Sequence, residues 1–100
     1  MARIFEKYTR GHYDSYQDFK ENFRIDAPES FNFAYDVMDV LADEQPNKRA
    51  MLWTNVAGAE KTFTFEDLRV LSNKCANFLT GLGIQKGDMV MLILQRRYEF

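Results

Sequence analysis

Residues 89–94 read Met-Val-Met-Leu-Ile-Leu, six apolar side chains in succession with no charge or turn former among them. Successive side chains on a strand point to opposite faces, so a strand built from this run is apolar on both. Such a strand calls for a sheet with a further layer on each side, the arrangement of parallel α/β folds. The run is far short of the roughly 20 residues a membrane helix requires, so it reads as a core strand and not an anchor. Its cover has to come from other elements.

What precedes it supplies three helices and a hairpin. Tyr13, Tyr16, Phe19 and Phe23 recur at spacings of three and four. They form an aromatic stripe on a helix over about 14–24, which Asp14 or Ser15 can cap. Pro28 interrupts the chain there and pushes Ala27 toward extended geometry. A second helix is predicted over about 33–44, with Asn32 as N-cap, Phe33, Val37, Val40 and Leu41 on one stripe, and Pro46 as its stop. The period then drops to two. Met51 and Trp53 fall on one face of a strand and Leu52 on the other, and Thr62, Phe63, Thr64 and Phe65 alternate. Ala57-Gly58-Ala59 between them offers the glycine for a reversal, giving a β-hairpin over about 49–65.

The third helix has the fullest set of boundary signals. Thr64 and Asp67 have capping-box spacing, with Asp67 standing where Glu or Gln is commoner. Leu68, Leu71, Cys75, Phe78, Leu79 and Leu82 line one face, and Gly83 sits where a left-handed residue closes a helix. Lys86-Gly87-Asp88 is a turn into the apolar run, which is predicted as a buried strand over about 88–94. The fold class is therefore α/β. Three helices and a hairpin are thin cover for a strand apolar on both faces, and Arg96-Arg97-Tyr98-Glu99-Phe100 reads as the start of another element. The expectation is a protein that continues beyond Phe100. The rival is a strand that packs in a dimer interface.

Composition excludes several classes. A hydrophobic share of 46% is too high for a disordered chain. A formal charge of −2 offers no basic field for nucleic acid or an anionic membrane. The N-terminus lacks the apolar run of a secretory signal, and the single cysteine has no intrachain partner. The expected setting is soluble and cytoplasmic.

Individual residues do not assemble a site. His12 has no nucleophile or carboxylate motif beside it and reads as a surface histidine. Cys75 sits on the apolar face of the third helix and reads as packing. One cysteine and one histidine fall short of a four-ligand zinc site. Gly81 and Gly83 close a helix, whereas a dinucleotide fingerprint joins a strand to a helix start. Lys86-Gly87 lacks the following Ser or Thr of a phosphate loop. Arg96 and Arg97 follow the end of the apolar strand, where ligands gather in open α/β sheets; they meet an anion there, or only solvate the element end or bond acidic residues in the part of the protein expected beyond Phe100. The aromatic stripe of Tyr13, Tyr16, Phe19 and Phe23 has no interleaved basic residues and reads as packing, not base stacking. No catalytic, cofactor-binding or metal-binding residue is assigned.

From Phe31 onward the residues resemble the N-terminal part of the adenylate-forming (AMP-binding) superfamily, which includes acyl- and aryl-CoA synthetases, peptide-synthetase adenylation domains and luciferase. The resemblance rests on Thr62-Phe63-Thr64-Phe65-Glu66-Asp67-Leu68, on Ala76 and Leu79, on Leu82-Gly83-Ile84, and on Lys86-Gly87-Asp88 followed by the apolar run. Asn22-Phe23-Arg24, Phe31-Asn32-Phe33-Ala34-Tyr35-Asp36-Val37 and Arg96-Arg97-Tyr98-Glu99-Phe100 look like the medium-chain acyl-CoA synthetase and acetyl-CoA synthetase-like branch. Cys75 stands where a small Ala is common. The resemblance implies an N-terminal extension with an aromatic helix over 1–30 and the start of the large AMP-binding domain over 31–100. It implies a parent acid–thiol ligase in which a carboxylate attacks Mg-ATP to give an acyl-adenylate, and CoA then displaces AMP. The motifs that carry this chemistry in the family are a phosphate loop, an aromatic-Thr-Glu segment, a ribose-binding Asp and a C-terminal Lys, none of which falls in these residues. The implied role is structural and inactive alone, with Mg-ATP and CoA used by the parent enzyme and the remainder of the synthetase as partner. Self-association through the exposed strand is the further expectation, with no nucleic acid and no membrane. The alternative is a stand-alone α/β interaction or dimerisation module.

Overall fold

A computed structural model describes residues 3–100. The chain divides into two units, Met1–Val37 and Met38–Phe100.

In the first unit a 3-10 turn, Ile4–Lys7, precedes α1, Tyr16–Asn22. Of the two possible caps, Ser15 takes the role: its hydroxyl accepts from the Asp18 N–H at 3.1 Å. Asp18 is then a hub. Its carboxylate accepts from both terminal nitrogens of Arg10 at 3.1 Å, from the Asp14 N–H at 3.0 Å and from Asn22 Nδ2 at 2.7 Å. These donors, the Asp14 N–H first and Asn22 next, hold the Asp18 carboxyl below the usual range. The aromatic stripe forms in part. Tyr13 meets Phe19 edge to face at 5.2 Å and Phe19 meets Phe23 at 5.0 Å, while Tyr16 stays 77% exposed.

The helix predicted over 33–44 forms with a different winding. Asn32 caps it, its Oδ1 accepting from the N–H groups of Ala34 (3.0 Å) and Tyr35 (3.3 Å), while the Asp36 carboxylate accepts from the Asn32 N–H at 2.7 Å. A π-helical stretch, Ala34–Asp39, runs into α2, Val40–Glu44. The wider π turn shifts the apolar stripe around the helix. Phe33 is left exposed, and Ala42, outside the expected stripe, is buried.

In the second unit β1, Arg49–Thr54, and β2, Glu60–Thr64, pair antiparallel within the predicted hairpin. Met51 faces Phe63, Leu52 faces Thr62 and Trp53 faces Lys61, with an irregularity between Arg49 and Met51. Asn55 organises the reversal: its side-chain oxygen accepts from the N–H groups of Ala57 (3.0 Å) and Ala59 (2.9 Å). Gly58 takes φ +83°, where a Cβ would be strained.

α3, Phe65–Gly81, is the longest element. Both bonds of its capping box are present: Thr64 Oγ1 accepts from the Asp67 N–H at 3.1 Å, and the Asp67 carboxylate accepts from the Thr64 N–H at 2.9 Å. Asp therefore completes the box despite its shorter side chain. The N–H groups of Phe65 and Glu66 donate to the carbonyls of Lys48 (3.1 Å) and Pro46 (3.2 Å), so further free donors of the helix start are satisfied. At the other end Gly83 has φ +86°, its N–H donates to Thr80 O, and the Ile84 N–H donates to Leu79 O. These are the two bonds of a Schellman closure. Arg69 ties α3 to α2 by bonding Asp43 at 2.5 Å and also Glu66. Those two carboxylates raise its pKa further above the ordinary arginine value.

The α/β class holds, with three α-helices and a two-stranded sheet among the described residues. Two expectations about burial do not. The strand predicted as buried over 88–94 is absent as a strand, and its side chains are exposed, from 47% at Leu94 to 95% at Met89. A strand exists only through a ladder partner, and none is supplied among the described residues. The apolar face of α3 is likewise open: Leu71, Phe78 and Leu82 are 46%, 64% and 63% exposed. Its helical period says which face wants cover, not that cover is present. No helix among the described residues is long and apolar enough to cross a membrane.

Thr64→Ala is expected to cost about 1 kcal/mol of helix stability, seen as faster amide exchange in the first turn of α3. The Asp67 carboxyl is held below the usual range by the Thr64 N–H first and the Thr64 hydroxyl next. A depressed carboxyl contributes stability above its ordinary range and loses it as pH falls through the folded value. Protection of that first turn is therefore expected to fall on acidification below the ordinary Asp range, and Asp67→Ala to flatten the dependence.

Candidate functional site

The most organised part of Met38–Phe100 beyond the hairpin and α3 is where the last residues return to the sheet. The register places Met51, Trp53, Lys61 and Phe63 on one face of the hairpin. Tyr98 lies against that face, its ring meeting Trp53 edge-on at 5.5 Å and Phe63 at 5.4 Å. Trp53 Nε1–H donates to the Arg96 carbonyl at 3.2 Å. The Lys61 ammonium stands over Tyr98 at 4.3 Å and over Phe63 at 5.3 Å. Aromatic pairs of this kind contribute about 0.5–1.5 kcal/mol each beyond area burial. The result is a clasp that fixes residues 96–98 to the hairpin. Phe63, at its base, is 5% exposed.

A recess of about 370 Å³ opens beside the clasp, lined by Trp53 and residues 95–99. Here the arginine pair divides. Arg97 donates to both carboxylate oxygens of Glu99 at 3.3 Å, and Glu99 is held below its usual range by its own main-chain N–H first, with Arg97 adding to it. Arg96 gives its carbonyl to Trp53, and its guanidinium has no ion pair among the described residues. Glu99, within the chain, is an acidic partner that neither reading of this pair named. The clasp escaped the sequence reading. The hairpin period sets Trp53 opposite Lys61, but the return of Tyr98 is a long-range event that no local pattern announces.

The other candidates are dispersed. His12 Nε2 lies 3.3 Å from Asp14 Oδ1, with both side chains more than four-fifths exposed, so water and salt screen the pair. Cys75 is exposed, not packed as expected, because nothing among the described residues covers that face of α3. Gly81 and Gly83 end the helix as read. Lys86-Gly87 lies in a closed turn: Gly87 has φ +97°, the Asp88 carboxylate accepts from the Gln85 N–H at 2.7 Å, and the Asp88 N–H donates to Gln85 O at 3.1 Å. Among the described residues no group of three or more His, Cys, Asp or Glu is placed to hold a metal. The residues thus converge on no catalytic constellation. What they present is a held, uncovered apolar segment between the Gln85–Asp88 turn and the clasp.

Comparison with known proteins gives this a context. Residues 38–100 match the family model described as AMP-binding enzyme. Over 98 residues, 92% of the chain, the sequence is 39% identical to acyl-coenzyme A synthetase ACSM3, mitochondrial, of Homo sapiens, and covers 17% of that protein. With the ACSM3 protein of Mus musculus it is 40% identical over 109 positions, covering 100% of this chain and 19% of the relative. With acyl-coenzyme A synthetase ACSM5, mitochondrial, of Mus musculus it is 44% identical over 79 residues, 73% of this chain and 14% of the relative. The chain spans less than a fifth of the length of these curated relatives. All three are named as mitochondrial, which overturns the cytoplasmic expectation. A lone unpaired cysteine fits any reducing compartment and did not single out the cytoplasm.

The clasp has a direct reporter, because Trp53 is the single tryptophan. Tyr98→Ala is expected to move Trp53 emission to longer wavelength and to raise its quenching by iodide. Unchanged emission and quenching would show that residues 96–98 do not hold to the hairpin in solution.

Proposed function

We propose a role for this chain from one premise: it belongs to the AMP-binding enzyme family. It is the opening structural segment of an ATP-dependent acyl-CoA synthetase, of the medium-chain type that its sequence resembles, and it is inactive by itself. The observation that carries this reading is the alignment of proteins named acyl-coenzyme A synthetases over most of the chain. The exposure of residues 89–94, which the sequence marks for a two-sided sheet, supports it.

The partner in this reading is the remainder of the synthetase. Its strands would pair with the main chain of residues 89–94, and its helices would cover Met89, Met91 and Ile93. Residues 1–30 form an N-terminal extension carrying α1, and residues 31–100 open the AMP-binding domain. The parent reaction joins a carboxylate, ATP and CoA to give acyl-CoA, AMP and pyrophosphate through an acyl-adenylate. Mg-ATP and CoA are held by residues outside this segment, and no residue within it is given a catalytic or cofactor-binding role. The compartment proposed is the mitochondrion, after the names of the relatives.

Carboxylate-dependent ATP–pyrophosphate exchange tests the reading. The chain alone is expected to show none. Human ACSM3 carrying this chain in place of its aligned segment is expected to keep exchange, and the same protein with that segment deleted to lose it. Exchange by the chain alone, or undiminished exchange after the deletion, overturns the proposal.

A further inference from the structure

α1 is seven residues long and buries none of them. A helix on its own is marginal in water below roughly 12 residues, so the order of α1 has to come from its side-chain contacts. Phe19 joins it to both flanks, meeting Tyr13 on one side and Phe23 on the other. Among the described residues, every polar side-chain contact between the helix and the residues before it passes through Asp18.

The Asp18 carboxylate is fully used. One oxygen accepts from Arg10 at 3.1 Å and from Asn22 Nδ2 at 2.7 Å. The other accepts from Arg10 at 3.1 Å and from the Asp14 N–H at 3.0 Å, one residue earlier than the return bond of a capping box. Its own N–H meanwhile donates to the capping Ser15 hydroxyl. One side chain thus binds donors from both sides of the helix start and from the last residue of the helix. A lone exposed ion pair contributes little, but this one is two-pronged, shares its carboxylate with a main-chain donor, and leaves the Asp18 side chain 18% exposed. Arg10 is the charged side chain that faces it. The neighbouring Asp14 carboxylate is turned to His12 at 3.3 Å.

We propose that Asp18 is a conformational lock: its charged carboxylate is the condition on which the turn of residues 10–14 and α1 are ordered, and neutralising it releases both as one piece. An amide of the same size cannot replace it. Either way round, an Asn at this position sets its NH2 against two of the four donors. The lock is closed at neutral pH, because the donors hold the carboxyl below its usual range, and it opens as pH falls through the folded value. The contacts lie within residues 10–23, and the inference stands apart from the synthetase reading.

Amide exchange of the chain, followed residue by residue by NMR at neutral pH, tests the lock. The N–H groups of Asp14, Asp18, Phe19 and Phe23 each have an acceptor and are expected to be protected. Asp18→Asn should lower protection at all four together by about tenfold, the effect of losing roughly one bond to a charged group, and leave α3 unchanged. Arg10→Gln should lower it less, and should add nothing in the Asp18→Asn background, since Arg10 acts through Asp18. Acidifying the unaltered chain should release the four groups with one midpoint, below the ordinary Asp range. Loss at Asp14 alone, additive effects of the two substitutions, loss of protection in α3 as well, or no protection of α1 in the unaltered chain overturns the proposal.

Discussion

Phe63 is the one large side chain among the described residues that loses nearly all of its exposure, and the second unit is arranged around it. β1 reaches it through the pairing with Met51, and Tyr98 and Lys61 close over its ring. The next residue, Thr64, is where strand gives way to helix, so the cap that starts α3 stands beside the site of deepest burial. Burying this ring and starting the longest helix are thus one local event. Ala42 is the other buried apolar residue among those described, and its helix is joined to α3 through Arg69. Two buried residues are a small core, so the order of this unit leans on caps, turns and ladder bonds as much as on apolar burial.

That balance explains what could be read from the sequence. The caps at Asn32 and Thr64, the reversal at Gly58 and the closure at Gly83 are each decided by residues within five positions of one another and were legible, while the cap of α1 was narrowed to Asp14 or Ser15 and fell to Ser15. Period two gave the hairpin, and from it follows the cross-strand neighbourhood of Trp53 and Lys61. The π-helical winding of Ala34–Asp39 was not legible, because the Phe33, Val37, Val40 and Leu41 spacing suits an ordinary helix, and so Ala42 was missed. The return of Tyr98 was not legible either. Trp53 and Arg96 are 43 positions apart, and no periodicity spans such a gap.

The candidate chemistry divides the same way. Arg97 finds an acidic partner two residues on, at Glu99, where the sequence reading had looked beyond Phe100. His12 reads as a surface side chain and stands exposed, and Gly83 closes α3 as its place at the helix end predicts. Cys75 failed because its reading needed a second fact. A helical stripe identifies the side that would be buried, and only another element can bury it. The same gap separates the apolar stripe of α3 from the exposure of Leu71 and Phe78.

Residues 89–94 join these threads. Read from sequence, six apolar residues demand two faces of cover. In the structure they alternate in exposure as a strand does, are held at both ends, and lack the ladder that would make them one. That cover is absent within the described residues. Parallel pairing needs partners brought from far along a chain, and the loop-closure entropy of such pairing is lost before any contact offsets it. A segment already held between a turn and an aromatic clasp lowers that cost, whichever strand comes to pair with it.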